Sequence, residues 1–189
     1  MIKKNRPNVY AFIDSQNLNL GSQKMGWKVD WRKFRHFLED QYGVTKAYMF
    51  IGYMSENEAL YEYMHELGYL VVLKPTIDVA GLEANRQNIP EVHEDRDKPT
   101  VKGNVDAELV LYAMKEQPNY DKAIIVSGDG DFYSLIEYLD QVGKLERVMA
   151  PNWQYSSLLK PYENKIVRLD KLRRKLAYHD KKRIIKKEK

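Results

Sequence analysis

The chain contains no cysteine. Disulfides and thiolate metal sites are therefore excluded, and a reducing compartment suits the chain. No stretch approaches the ~18 consecutive apolar residues of a membrane span. The apolar run at residues 9–13, behind the basic start Met1-Ile2-Lys3-Lys4-Asn5-Arg6-Pro7, is too short for a secretory leader. These absences lead us to expect a soluble, cytoplasmic protein with no membrane contact. There is no Gly-x-x-x-x-Gly-Lys-Ser/Thr run for a triphosphate. No glycine fingerprint for a dinucleotide follows the first apolar run. Histidine is scarce, and His93 has no second histidine at helical ligand spacing, so it reads as exposed and not a ligand.

What is present is a chain of 189 residues, 43% apolar, which is enough for one buried core and an extension. The formal charge of +4 is unevenly spread. Residues 171–189 carry ten Lys/Arg and two acids, net +8, whereas residues 1–170 are net −4. The chain accordingly divides into a domain at 1–170 and a basic tail at 171–189. A tail of that charge suits an anionic partner such as nucleic acid.

Apolar runs at 9–13, 46–53, 69–73, 122–126, 145–150 and 166–169 predict strands. Helical spacing occupies the gaps between most of them. Asp30 is an N-cap before Trp31, Phe34, Phe37 and Leu38, and residues 56–67 place Leu60, Tyr63, Met64 and Leu67 on one face before Gly68. Residues 104–116 form a third helix with Asn104 as its cap, and a fourth follows Asp131 and stops at Gly143. Residues 15–27 are polar and read as a loop, and residues 75–103, with three prolines and many charges, as a long functional or mobile loop. Residues 156–159 suit a helical turn, and from Asp170 a basic helix frays outward. Strands alternating with helices predict an α/β fold: a three-layer α/β/α sandwich around a mainly parallel, Rossmann-like sheet.

Four carboxylates fall where such a sheet places chemistry. Asp14, Asp129 and Asp131 lie just past strand ends, and Asp106 lies in the first turn of a helix. Each alone has an ordinary reading, as a helix cap or a turn former. Capping does not predict that all four should meet. Two like charges ~4 Å apart at an effective dielectric of ~20 cost about 4 kcal/mol, so such a cluster must protonate in part or take up a cation. Oxygen ligands without cysteine or a histidine motif favour Mg²⁺ or Mn²⁺ over zinc. An ion so held suits attack of water on a phosphodiester.

The segments Phe12-Ile13-Asp14-Ser15-Gln16-Asn17-Leu18, Lys102-Gly103-Asn104-Val105-Asp106 and Ser127-Gly128-Asp129-Gly130-Asp131-Phe132 resemble, in order and spacing, the three motifs of NYN domains in the PIN-like nuclease superfamily. The resemblance covers roughly residues 8–150 and is nearest to the bacterial stand-alone, LabA-like type. It implies a PIN-like fold and metal-dependent ribonuclease chemistry acting on single-stranded RNA or RNA loops. It also implies that Asp14, Asp106, Asp129 and Asp131 form the catalytic metal site, with Asn17 as the polar residue after the first acid. Asn104-Val105 lengthens the middle motif by one residue relative to a Lys-Gly-Val-Asp form, which leaves Glu108 as an alternative to Asp106.

Lys102, Ser127 and the tail residues Arg173, Arg174 and Lys175 are the candidates for holding substrate. Leu169, Leu172 and Leu176 give the tail an apolar stripe that can dock on the domain. Tyr133 and Trp153, near strand ends, are candidates for stacking a base. The competing function is a non-catalytic RNA-binding or regulatory module with the same fold, and a homo-oligomer is left open by the sequence. A phosphatase of the haloacid dehalogenase type is disfavoured. It requires a second aspartate two residues after the nucleophile, where Gln16 stands.

Overall fold

The computed structural model describes residues 6–53, 55–75, 77–78, 101–102 and 105–179. Strand β1 (Val9–Asp14) lies in the middle of a six-stranded sheet with β2 (Val44–Tyr53), β3 (Tyr69–Pro75), β6 (Lys122–Val126), β7 (Leu145–Ala150) and β8 (Ile166–Arg168). The order is β3-β2-β1-β6-β7-β8, and every neighbouring pair is parallel. A separate antiparallel pair joins β4 (Ile77–Asp78) to β5 (Val101–Lys102). The expectation of an α/β fold with a parallel sheet is met.

Strand alternation divides the core in two. Val9, Ala11 and Ile13 of β1 face one cluster, and Tyr10 and Phe12 face the other. On the first side pack Leu18 of α1 (Ser15–Lys24), Phe34 and Leu38 of α2 (Trp31–Tyr42) and Met64 of α3 (Glu58–Glu66). On the second pack Leu109 and Ala113 of α4 (Asp106–Lys115) and Leu135, Ile136 and Leu139 of α5 (Tyr133–Gln141). Both faces of the sheet are covered, which is why its strands read as continuous apolar runs.

Local signals set most boundaries. Asp30 caps α2 by accepting the Lys33 N–H at 3.1 Å, and the helix stops at Gly43 in the left-handed region. Two expectations are corrected here. Residues 15–24 form helix α1, not a loop. The Asp14 carboxylate caps it by accepting the Asn17 N–H, and Leu18 and Ser22, one turn apart, are its only buried residues. A helix with so narrow a buried stripe carries almost no apolar period. On α3 the inward residues are Tyr61 and Met64, whereas Leu60 and Tyr63 are exposed. The expected cap Asn104 and most of the 75–103 segment, His93 included, lie outside the described residues.

The chain after β8 does not fray outward over its described length. A 3₁₀ turn (Leu169–Leu172) leads into the single helical turn α6 (Arg173–Leu176). Leu169 and Leu176 are buried in the first core cluster, with Leu172 packed beside them. Ala177 forms a β-bridge with Val29, and Arg173 donates to the Gly26 carbonyl. The leucine stripe therefore docks, as expected. Leu176→Ala should cost about 2–5 kcal/mol, read as a lowered urea midpoint with unchanged slope. An unchanged midpoint would mean that this segment is not packed in solution.

Candidate active site

The chain runs from β1 outward to β2 and β3, then returns to the other side of β1 for β6, β7 and β8. The reversal lies between β1 and β6, and in open α/β sheets ligands bind beyond the strand ends at that point. Ile13 pairs with Val126, so the next residues, Asp14 and Ser127, emerge side by side. A cleft of about 630 Å³ opens above them. Asp14, Asp106 and Asp129 line it, together with Asn17 and Gly128.

Asp14 is 5% exposed. Its Oδ1 accepts the Asn17 N–H at 3.0 Å, and its Oδ2 accepts the Ser127 hydroxyl at 3.1 Å. Ser127 is itself buried, and its Oγ accepts the Asp129 N–H at 3.1 Å. One hydroxyl thus ties the first acid to the third. Asp129 turns its Oδ1 to the Asp131 N–H, capping the 3₁₀ turn Gly130–Phe132. Asn17 reaches across the reversal, its Oδ1 accepting the Gly128 N–H at 3.0 Å. Both aspartates are therefore caps, and both also face the cleft.

Burial pushes the Asp14 carboxyl above its ordinary 3.8. The charges of Asp106 and Asp129 push the same way, against the lowering effect of the Asn17 and Ser127 hydrogen bonds. Three like charges thus meet at one cleft, where Lys24 alone among the described lining residues carries a positive charge.

The remaining sequence candidates fall elsewhere. Asp131 is exposed and is not part of the cleft lining. Glu108 is ion-paired with Lys74 at 3.0 Å. Lys102 lies in β5, and its side chain is outside the described residues. Arg173, Arg174 and Lys175 are exposed on α6, away from the cleft lining. The sequence reading missed the far wall, made by the loop after β7. Asn152, 4% exposed, donates to the Gly21 carbonyl at 2.8 Å and accepts the Gln154 N–H at 2.7 Å. A Cβ on Gly21 would stand 2.5 Å from Pro151 Cγ, so the glycine lets α1 pack against that wall. The available signal was position: Pro151-Asn152 follows a predicted strand just as Ser127-Gly128 does.

The donors fit a hard divalent cation in kind, all being carboxylate or amide oxygens. They do not form a closed cage: among the described residues no group of three or more His, Asp or Glu is set to hold a metal ion. The fit is to an ion of Mg²⁺ type, which binds through one or two carboxylates and keeps several waters.

The raised Asp14 pKa has a consequence for stability. Above 3.8 the unfolded chain loses this proton first, so stability falls as pH rises through the gap to the raised folded value. Without added metal, Asp14→Asn should melt higher than the parent at pH 7. The gain should vanish near the ordinary carboxylate pKa. A gain that does not change with pH in thermal melts would contradict this account of Asp14.

Comparison with known proteins agrees with the geometry. Over 141 residues the chain is 27% identical to the low amplitude and bright protein LabA of Synechococcus elongatus, covering 71% of this chain and 69% of that one. A crystal structure of a protein of unknown function from Vibrio parahaemolyticus superposes with a TM-score of 0.66 at 19% identity, over 90% of this chain and 97% of the other. That likeness shows the shared fold. The NYN domain pattern matches residues 8–170. The chain belongs to the NYN domain family of the PIN-like superfamily, whose members point to nuclease-like chemistry.

Proposed function

We propose that the protein is a metal-dependent endoribonuclease that hydrolyses RNA phosphodiester bonds in the cleft between β1 and β6. The observation that carries this is the meeting of Asp14, Asp106 and Asp129 at the sheet reversal, with burial and like charge acting against ionised Asp14. A cation would relieve that cost, and Mg²⁺ or Mn²⁺ matches the donors. When bound, the ion supplies an activated water and stabilises charge on phosphate oxygens.

Asp14 and Asp129, with Asp106 across the cleft, would hold the ion. Ser127 and Asn17 act as positioning residues: the first bridges Asp14 and Asp129, and the second joins α1 to the loop after β6. Asp131 contributes the backbone N–H that orients Asp129. Lys24 on the cleft wall suits a backbone phosphate, and exposed Arg173, Arg174 and Lys175 begin a basic extension that suits RNA farther out. Among the described residues no helix is long and apolar enough to cross a membrane, and we place the activity in the cytoplasm. One observation favours the second reading, a regulatory RNA-binding module: the acids do not share a ready-made metal cage.

The deciding experiment incubates labelled mixed-sequence single-stranded RNA with the protein in Mn²⁺, Mg²⁺ or excess EDTA, beside Asp129→Asn. We expect metal-dependent cleavage that falls about 100-fold or more in the variant. Mn²⁺ at about 100 times its dissociation constant should also stabilise the parent by about 2.7 kcal/mol and leave Asp129→Asn unmoved. Salt-sensitive RNA binding without cleavage would transfer support to the regulatory module.

A further inference from the structure

A second groove, of about 460 Å³, lies along the edge strand β8, beside the loop after β7. Trp153, Tyr155, Glu163, Arg168, Lys171 and Leu172 are among its walls. Tyr155 lines both this groove and the acidic cleft, so one side chain borders the two. From β6 to β8 is two strand spacings, about 10 Å. A strand of nucleic acid in the cleft would leave it along this path.

The groove is built for such a strand. Trp153 is the most exposed of the three tryptophans, at 57%, yet it sits on a constrained turn. Asn152 fastens that turn at both ends, to Gly21 on α1 and to the Gln154 N–H. The backbone that carries the indole is thus held in place, which lowers the entropy cost of stacking a base. Arg168 lies on the lining with its charge paired to Asp170 through two hydrogen bonds. Lys171 makes no ion pair or hydrogen bond with the described residues and is placed to meet a phosphate. Glu163 is the single acid on the lining. An aromatic face with Lys171 beside it, bordering the acidic cleft at Tyr155, suits the pattern that binds single strands without reading sequence.

We propose that this groove is a single-stranded RNA subsite, in which Trp153 stacks a base outside the acidic cleft and Lys171 holds the adjoining phosphate. The proposal rests on the RNA reading of the cleft. Its test uses the full chain in Mn²⁺ with phosphorothioate RNA, in two lengths: a dinucleotide, and a strand long enough to occupy both cavities. Binding is followed by tryptophan fluorescence and by anisotropy of a labelled strand. Trp27 is buried and Trp31 packs against the core, so quenching reports mainly on Trp153.

The long strand should quench the parent and the dinucleotide should not. Trp153→Ala should weaken the long strand about ten-fold or more and leave the dinucleotide unchanged. Lys171→Ala should reduce the salt slope for the long strand by about 0.7, the share of one phosphate. If the parent binds the long strand and Trp153→Ala binds it equally well, the groove is overturned and the cleft reading stands on its own cleavage assay. If the parent binds neither length at any salt, both fall.

Discussion

The pairing of β1 with β6 is the constraint on which the rest depends. Two halves of a parallel sheet, one running β1-β2-β3 and the other β6-β7-β8, meet along this seam. The register that sets Ile13 against Val126 brings Asp14 next to Ser127. Those two side chains hydrogen-bond, and a second bond from the Asp129 N–H extends the link into the following turn. On the other side of the seam, Asn17 of α1 receives the Gly128 N–H. Shifting the register by one residue would turn every side chain of β1 to the opposite layer. It would exchange the β1 residues between the two core clusters and remove the first carboxylate from the cleft together.

The polar seam is stable because its members use the same atoms twice. Asp14 closes the first turn of α1 while facing the cleft, and Asp129 closes a 3₁₀ turn while doing the same. Their hydrogen bonds from the backbone offset part of the cost of burying charge, which is why Asp14 can sit at 5% exposure. The offset is incomplete, since burial and the neighbouring acids leave its proton affinity raised. That residual cost lies at the cleft, where a proton or a cation releases it.

The loop after β7 gives the cleft its far wall and borders the second groove. Pro151 presses on Gly21, Asn152 fastens the loop to α1, and Trp153 and Tyr155 turn outward along the sheet edge. The C-terminal segment supports the same edge. Leu169 and Leu176 enter the core on the α2 side, and Lys171 between them faces the second groove. The apolar stripe of this segment holds it in place, and its basic residues are left outward.

Residues 9–13 and 122–126 are β-branched and aromatic runs, and their identity as buried strands follows from local composition. The same holds for the α2 cap at Asp30, the stop at Gly143 and the three motifs that carry the acids, because each is a short-range signal. Helix α1 was not legible. Its ten residues bury only Leu18 and Ser22, and what makes them helical is a cap from Asp14 and a packing surface supplied by Pro151. The outward placement of Leu60 and Tyr63 on α3 was hidden for a similar reason: apolar spacing gives a face, but the sheet decides which neighbouring face is covered. The sequence by itself determined the fold class, the strand-end positions of the acids and the chemistry their oxygens favour, since those depend on residue type and local order. Tertiary structure alone decided that Asp14, Asp106 and Asp129 share a cleft while Asp131 lies exposed outside its lining, and that Trp153 and Lys171 share its neighbour. Such meetings depend on strand order and register across more than a hundred residues of chain, which no local pattern records.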